Sequence, residues 1–169
     1  MDKEDRVKFF KTYLREYDVR FSEEDEKYFD GLEIKTENSY VVTCSDFSRL
    51  KKFVNCFLLA NELFDHVTYD INEYINFYVS PQKDIVYNEL LIIHYPVNAF
   101  EYGKTKELIQ NALLQTITSR NRMGFTTIVL AEKPLPYLEE CKDIEKVTLS
   151  VGSNQPNTNS KANSKGVIY

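Results

Sequence analysis

At 169 residues, with 43% hydrophobic and 28% charged side chains, the chain has the length of one domain and the balance of a folded one, which excludes a wholly disordered polypeptide. A formal charge of −5 excludes a general nucleic-acid binder, because such binding needs a concentrated basic surface. Cys44, Cys56 and Cys141 are odd in number and show no C-x-x-C spacing, which argues against a disulfide framework or a zinc site and for reduced thiols. The start, MDKEDRVKFF, lacks an apolar signal region, and no apolar run approaches the roughly 20 residues that span a bilayer. The expectation is a soluble, cytoplasmic protein without membrane contact.

The first predicted element is a helix from Asp5 to Tyr17. Val7, Phe10, Leu14 and Tyr17 form its apolar stripe, with Phe9 and Tyr13 beside it. Ser22, followed by Glu23, Glu24 and Asp25, predicts a second helix start that runs to Gly31. SYVVTC, residues 39–44, reads as a buried strand, and Ser45-Asp46 turns it into a helix from Ser48 to Phe64. HVTYDI, residues 66–71, reads as a strand, while residues 72–78 fit helix and strand equally. Ser80-Pro81 breaks that segment. ELLIIHY, residues 89–95, is apolar on both faces in its middle, as a central parallel strand covered by helices should be. A helix from Lys104 to Arg122 follows, closed by Gly124. The strand FTTIVLA, residues 125–131, comes next, then one or two helical turns within 135–141, then a strand over 144–151.

Strands alternating with helices predict βαβ units and a mainly parallel sheet, hence an α/β three-layer sandwich. Three regions are expected: an N-terminal helical segment over residues 1–34, an α/β domain over 35–151 and a polar tail over 152–169. The tail sequence GSNQPNTNSKANSKG has the composition of a flexible linker. The apolar Val167-Ile168-Tyr169 at its end reads as a frayed terminus or as a short docking peptide on a tether.

The element order, with LLIIHY, a helix ending in SRNRMG and then TTIVLAE, resembles the AAA+ domain of bacterial replicative-helicase loaders and their transposition-helper relatives. The resemblance covers roughly residues 35–150 by element order. It implies that the turn after SYVVTC stands where that family has its phosphate loop. LLIIHY stands in place of the Walker B strand, and TTIVLAE in place of the sensor strand. A phosphate loop reads G-x-x-x-x-G-K-[ST], since glycines let backbone N–H groups approach phosphate and the lysine neutralises it. The corresponding turn here, Thr43 to Lys51, has no glycine, and Asp46 would repel a phosphate. His94 and Tyr95 replace the acids that hold Mg²⁺. The expectation is a P-loop NTPase-like fold that lacks a functional phosphate loop, that is, a pseudo-ATPase with no catalytic residues, no metal and no cofactor.

Other constellations are weighed against that reading. Asp30, Glu33 and Lys35 include an E-x-K triplet that serves metal-dependent nucleases, although a solvated surface explains it as well. His66 and His94 lack a second ligand at i+2 or i+4 and read as polar caps at strand edges. Cys44, between a strand end and a helix start, is placed for a lowered pKa, yet without a His or Asn partner it reads as structural. Arg120 and Arg122 favour the helix macrodipole or contact a phosphate backbone or a neighbouring subunit. Lys51 and Lys52 are further candidates for nucleic-acid or subunit contact. Phe9, Tyr13 and Tyr17 are candidate partner anchors.

The function expected from all this is a non-catalytic interaction protein. Its protein partner is a DNA replication or recombination ATPase, with at most slight nucleic-acid contact. The alternatives are a small metal-dependent nuclease using Asp30, Glu33 and Lys35, and a clamp-loader-like subunit without ATPase activity.

Overall fold

A computed structural model of the protein describes residues 39–61, 65–80 and 86–149, together with Glu4, Asp5 and Lys8. The elements run β1 (Ser39–Thr43), α1 (Phe47–Asn61), β2 (His66–Asp70), α2 (Ile71–Val79), β3 (Leu90–Tyr95), α3 (Lys104–Arg122), β4 (Thr126–Ala131), α4 (Pro136–Glu139) and β5 (Ile144–Thr148). The five strands form one sheet in the order β2-β3-β4-β1-β5, and every pairing is parallel.

Strand order and handedness together place the helices. The connection from β1 to β2 crosses the sheet in one direction, and those from β2 to β3, β3 to β4 and β4 to β5 cross in the other. Right-handed crossovers therefore put α1 on one face and the remaining helices on the opposite face. The core divides accordingly. Leu50, Phe53, Val54 and Phe57 of α1 pack on Tyr40, Val42, Leu90, Ile92, Ile128 and Leu130. Ile71, Tyr74 and Ile75 of α2, Ile109, Leu113 and Ile117 of α3, and Leu138 of α4 pack on Val41, Leu91, Ile93, Val129 and Ala131. Alternate residues of each strand serve opposite faces, which is why the middles of β3 and β4 are apolar on both faces.

The expected strand LLIIH is internal, between β2 and β4. Residues 72–78, which fitted helix and strand equally, are helical. Asp70 caps α2 by accepting from the Asn72 N–H at 2.9 Å, and the buried positions Ile71, Tyr74 and Ile75 recur at helical spacing. α1 begins at Phe47, one residue before the expected Ser48. At the far end of α3, Gly124 takes φ +78. In that conformation the Gly124 and Phe125 N–H groups reach Asn121 O and Arg120 O, at 3.1 and 2.9 Å, and a side chain there would be strained. The expected helices over 5–17 and 22–31 and the tail over 152–169 lie outside the described residues, apart from Glu4, Asp5 and Lys8. Among the described residues no helix is long and apolar enough to cross a membrane.

Candidate functional site

In an open parallel sheet, ligands settle beyond the carboxyl ends of the strands, where the chain leaves neighbouring strands for opposite faces. Here that point lies between β1, which runs to α1, and β4, which runs to α4. On the β4 side of that point, side chains from three strand ends gather. Asp70 closes β2, His94 is the penultimate residue of β3, and Glu132 follows β4 directly. The register brings Asp70 beside His94, while the Glu132 N–H donates to Tyr95 O at 3.0 Å.

His94 is held between the two acids. Its Nε2 lies 2.6 Å from Glu132 Oε2, and its Nδ1 is 4.0 Å from Asp70 Oδ2. With Glu132 ionised, Nε2 carries the proton and donates it. Phe47, the first residue of α1, stacks on the imidazole with ring centroids 4.1 Å apart. Lys51 Nζ lies 4.9 Å from the centroid of the Phe47 ring, a cation–π distance. His94 thus sits at the strand end with a carboxylate on either side of its ring. The two carboxylates address opposite ring nitrogens, and no group of three His, Cys, Asp or Glu among the described residues has metal-binding geometry.

The start of α1 is closed by the chain itself. Only Cys44, Ser45 and Asp46 connect β1 to α1. Asp46 Oδ1 accepts from the Ser48 N–H at 2.9 Å and from the Ser48 hydroxyl at 2.7 Å. The N–H groups of Arg49 and Leu50 turn to Asp46 O, at 3.2 and 3.3 Å. A carboxylate thus occupies the place at the helix N-terminus that an anion would take. The Ser48 hydroxyl bond is the main cause holding the Asp46 carboxyl below its ordinary range, against the opposing effect of burial.

The candidates from sequence fall in different places. Cys44 is buried, and burial pushes its thiol up rather than down, in keeping with the structural reading of that turn. Lys51 is exposed and Lys52 half-buried on α1. Arg122 is exposed, whereas Arg120 is 1% exposed. The Arg120 guanidinium donates to Thr127 Oγ1 at 2.9 Å, to Asn88 O at 2.8 Å, to Thr126 O at 2.9 Å and to Val86 O. Burial brings it down to about 10, so it stays charged at neutral pH. Arg120 is therefore placed as an internal staple, and Arg122 alone of the pair meets solvent. Phe9, Tyr13, Tyr17, Asp30, Glu33 and Lys35 lie outside the described residues.

The residues missed from sequence are Asp70 and Glu132. The available signal was that a charged or polar residue stands at or just past the end of each of three strands: HVTYD, LLIIH and TTIVLAE. Comparisons of the chain with protein-family models, with curated proteins and with solved structures find no match for it.

Proposed function

We propose that the chain is a non-catalytic interaction protein on a phosphate-loop-like fold whose nucleotide site is shut, and that it binds and modulates a DNA replication or recombination ATPase. The observation that carries this reading is the start of α1. A three-residue connection capped by Asp46 leaves no loop to wrap a phosphate and sets a negative charge where the phosphate would lie. The end of β3 speaks for the same reading. His94 there is engaged by Glu132 and covered by Phe47, and Tyr95 is buried. Neither side chain offers a carboxylate to Mg²⁺. The placement of β4 between β1 and β3 is in keeping with a sensor strand standing between a phosphate-loop strand and a Walker B strand.

Two measurements test this reading. Calorimetric titration of the full chain with Mg-ATP and Mg-ADP should give no saturable heat, and a micromolar dissociation constant would overturn the shut site. The purified replicative helicase and recombination ATPase of the same host should each be titrated with the full chain while ATP turnover is followed. Saturable binding with altered turnover of one of them is the expected result. Absence of both effects with both enzymes would remove the partner assignment.

A further inference from the structure

Six large hydrophobic side chains among the described residues are exposed, and three of them share one connection at the carboxyl edge. Val97 is 63% exposed, Phe100 56% and Tyr102 74%, all between β3 and α3. The connection is pinned by its polar and backbone groups. Glu101 Oε2 accepts from Lys133 Nζ at 2.7 Å, and Lys133 Nζ lies 5.6 Å from the centroid of the buried Tyr95 ring. The Ala99 N–H donates to Pro96 O at 3.2 Å, and the Thr105 N–H to Tyr102 O at 3.1 Å. Gly103 takes φ +55 at the start of α3. The Phe100 and Tyr102 rings meet edge-on with centroids 5.0 Å apart. A connection whose acidic residue is paired by Lys133 while its aromatic residues face water is a docking surface in waiting.

We propose that the occupant is the segment Val167–Tyr169 of the same chain. The first argument is reach. β5 runs parallel to β3, and the Leu149 N–H donates to Thr43 O at 2.9 Å, so the chain leaves β5 at this same carboxyl edge. Three strand spacings separate β5 from β3, about 14 Å at the usual spacing of parallel strands. The 15 residues from 152 to 166 are enough to cover that distance, since even the compact rise of a helix is about 1.5 Å per residue. A segment joined to its surface by a connection of this length meets it at a high effective concentration, on the order of millimolar. That is enough to populate a contact too slight to persist between separate molecules.

The second argument is charge. The tether carries Lys161 and Lys165 and no acid. The strand ends, connections and first helical residues at this edge carry Asp46, Asp70, Glu101 and Glu132 against Lys104 and Lys133. Opposite charge on tether and edge favours the docked arrangement and makes it salt-dependent. The third is chemistry. Val-Ile-Tyr supplies two β-branched aliphatic groups and one ring to a surface of Val, Phe and Tyr. This contact is independent of whether the nucleotide site is shut.

The test is a photo-cross-link in the full chain, with Tyr169→benzoylphenylalanine as the probe. The expected product is a cross-link inside the monomer to the peptide that contains residues 97–103. Its yield should fall at least fivefold with Phe100→Ser and Tyr102→Ser together, and about threefold with Lys161→Glu and Lys165→Glu. Thermal melts of these full-chain variants should match the wild type, since the substituted ring side chains are exposed in the fold. Cross-links between two chains, cross-links to another surface, a yield indifferent to the loop substitutions, or no cross-link at all would each overturn the proposal.

Discussion

The two edges of the sheet use similar chemistry for opposite ends. At the amino edge a cation is sunk into the fold. Arg120 ties the end of α3 to residues 86–88 and to the start of β4. Beside it, Ser39 Oγ donates to Asn121 Oδ1 at 2.6 Å and accepts from the Thr127 N–H, while Asn121 Nδ2 donates to Asp143 O at 3.1 Å. At the carboxyl edge the charged groups stay partly in water. The side chains of His94, Glu132 and Asp70 are 20, 17 and 33% exposed, and aromatic side chains stand outside them. A buried charge that is fully hydrogen-bonded cannot be moved without leaving its acceptors bare. Partly hydrated charges can exchange a protein partner for another or for water. The first edge is built to hold, and the second is free to engage.

The largest expected effect breaks the holding edge. Arg120→Met should cost about 3 kcal/mol or more, because several carbonyls lose their donor inside the fold. Arg120→Lys should recover little of this, since an ammonium cannot span acceptors set out for a planar fork. Urea denaturation measures both, and an Arg120→Met protein within 0.5 kcal/mol of wild type would dissolve the contrast between the edges.

A middling effect belongs to the engaging edge. His94→Ala removes the Glu132 bond and the Phe47 stack together and should cost about 1–2 kcal/mol. If the pair with Glu132 carries part of this cost, the double-mutant cycle with Glu132→Gln should show a coupling of about 0.5 kcal/mol or more.

Asp46→Ala should cost about 1 kcal/mol at neutral pH through the lost cap. Its pH dependence follows from the depressed Asp46 carboxyl. A folded-state value below the unfolded one contributes stability that is present above the unfolded value and is lost as pH falls through the folded one. The gap between wild type and Asp46→Ala should therefore narrow below about pH 4. A gap that widens on acidification would contradict the cap geometry. The smallest effect sharpens the comparison from the other side. Arg122→Ala, two residues from the staple but exposed, should change stability by no more than about 0.5 kcal/mol.

Much of this architecture was written locally. The apolar runs over residues 39–44, 89–95 and 125–131, the stripe of α3 and the closing Gly124 set element type and near-correct bounds. Periodicity and caps are properties of neighbouring residues. Residues 72–78 stayed open because a short aromatic run suits either state, until packing on β2 and β3 and the Asp70 cap selected the helix. The alternation of elements implied a parallel sheet, yet the order β2-β3-β4-β1-β5 depends on contacts between residues far apart in the chain.

The same limit governed the site. His94 was visible as a substitution in an apolar strand. Its bond to Glu132, 38 residues on, exists only because β4 lies beside β3. Arg120 and Arg122 look alike in SRNR, and a helix turns by about 100° per residue. Two positions apart, one guanidinium faces the sheet and the other faces water. Composition and spacing determined which residues were available to hold or to engage. Tertiary structure alone decided which did which, because burial and long-range pairing arise where distant segments meet.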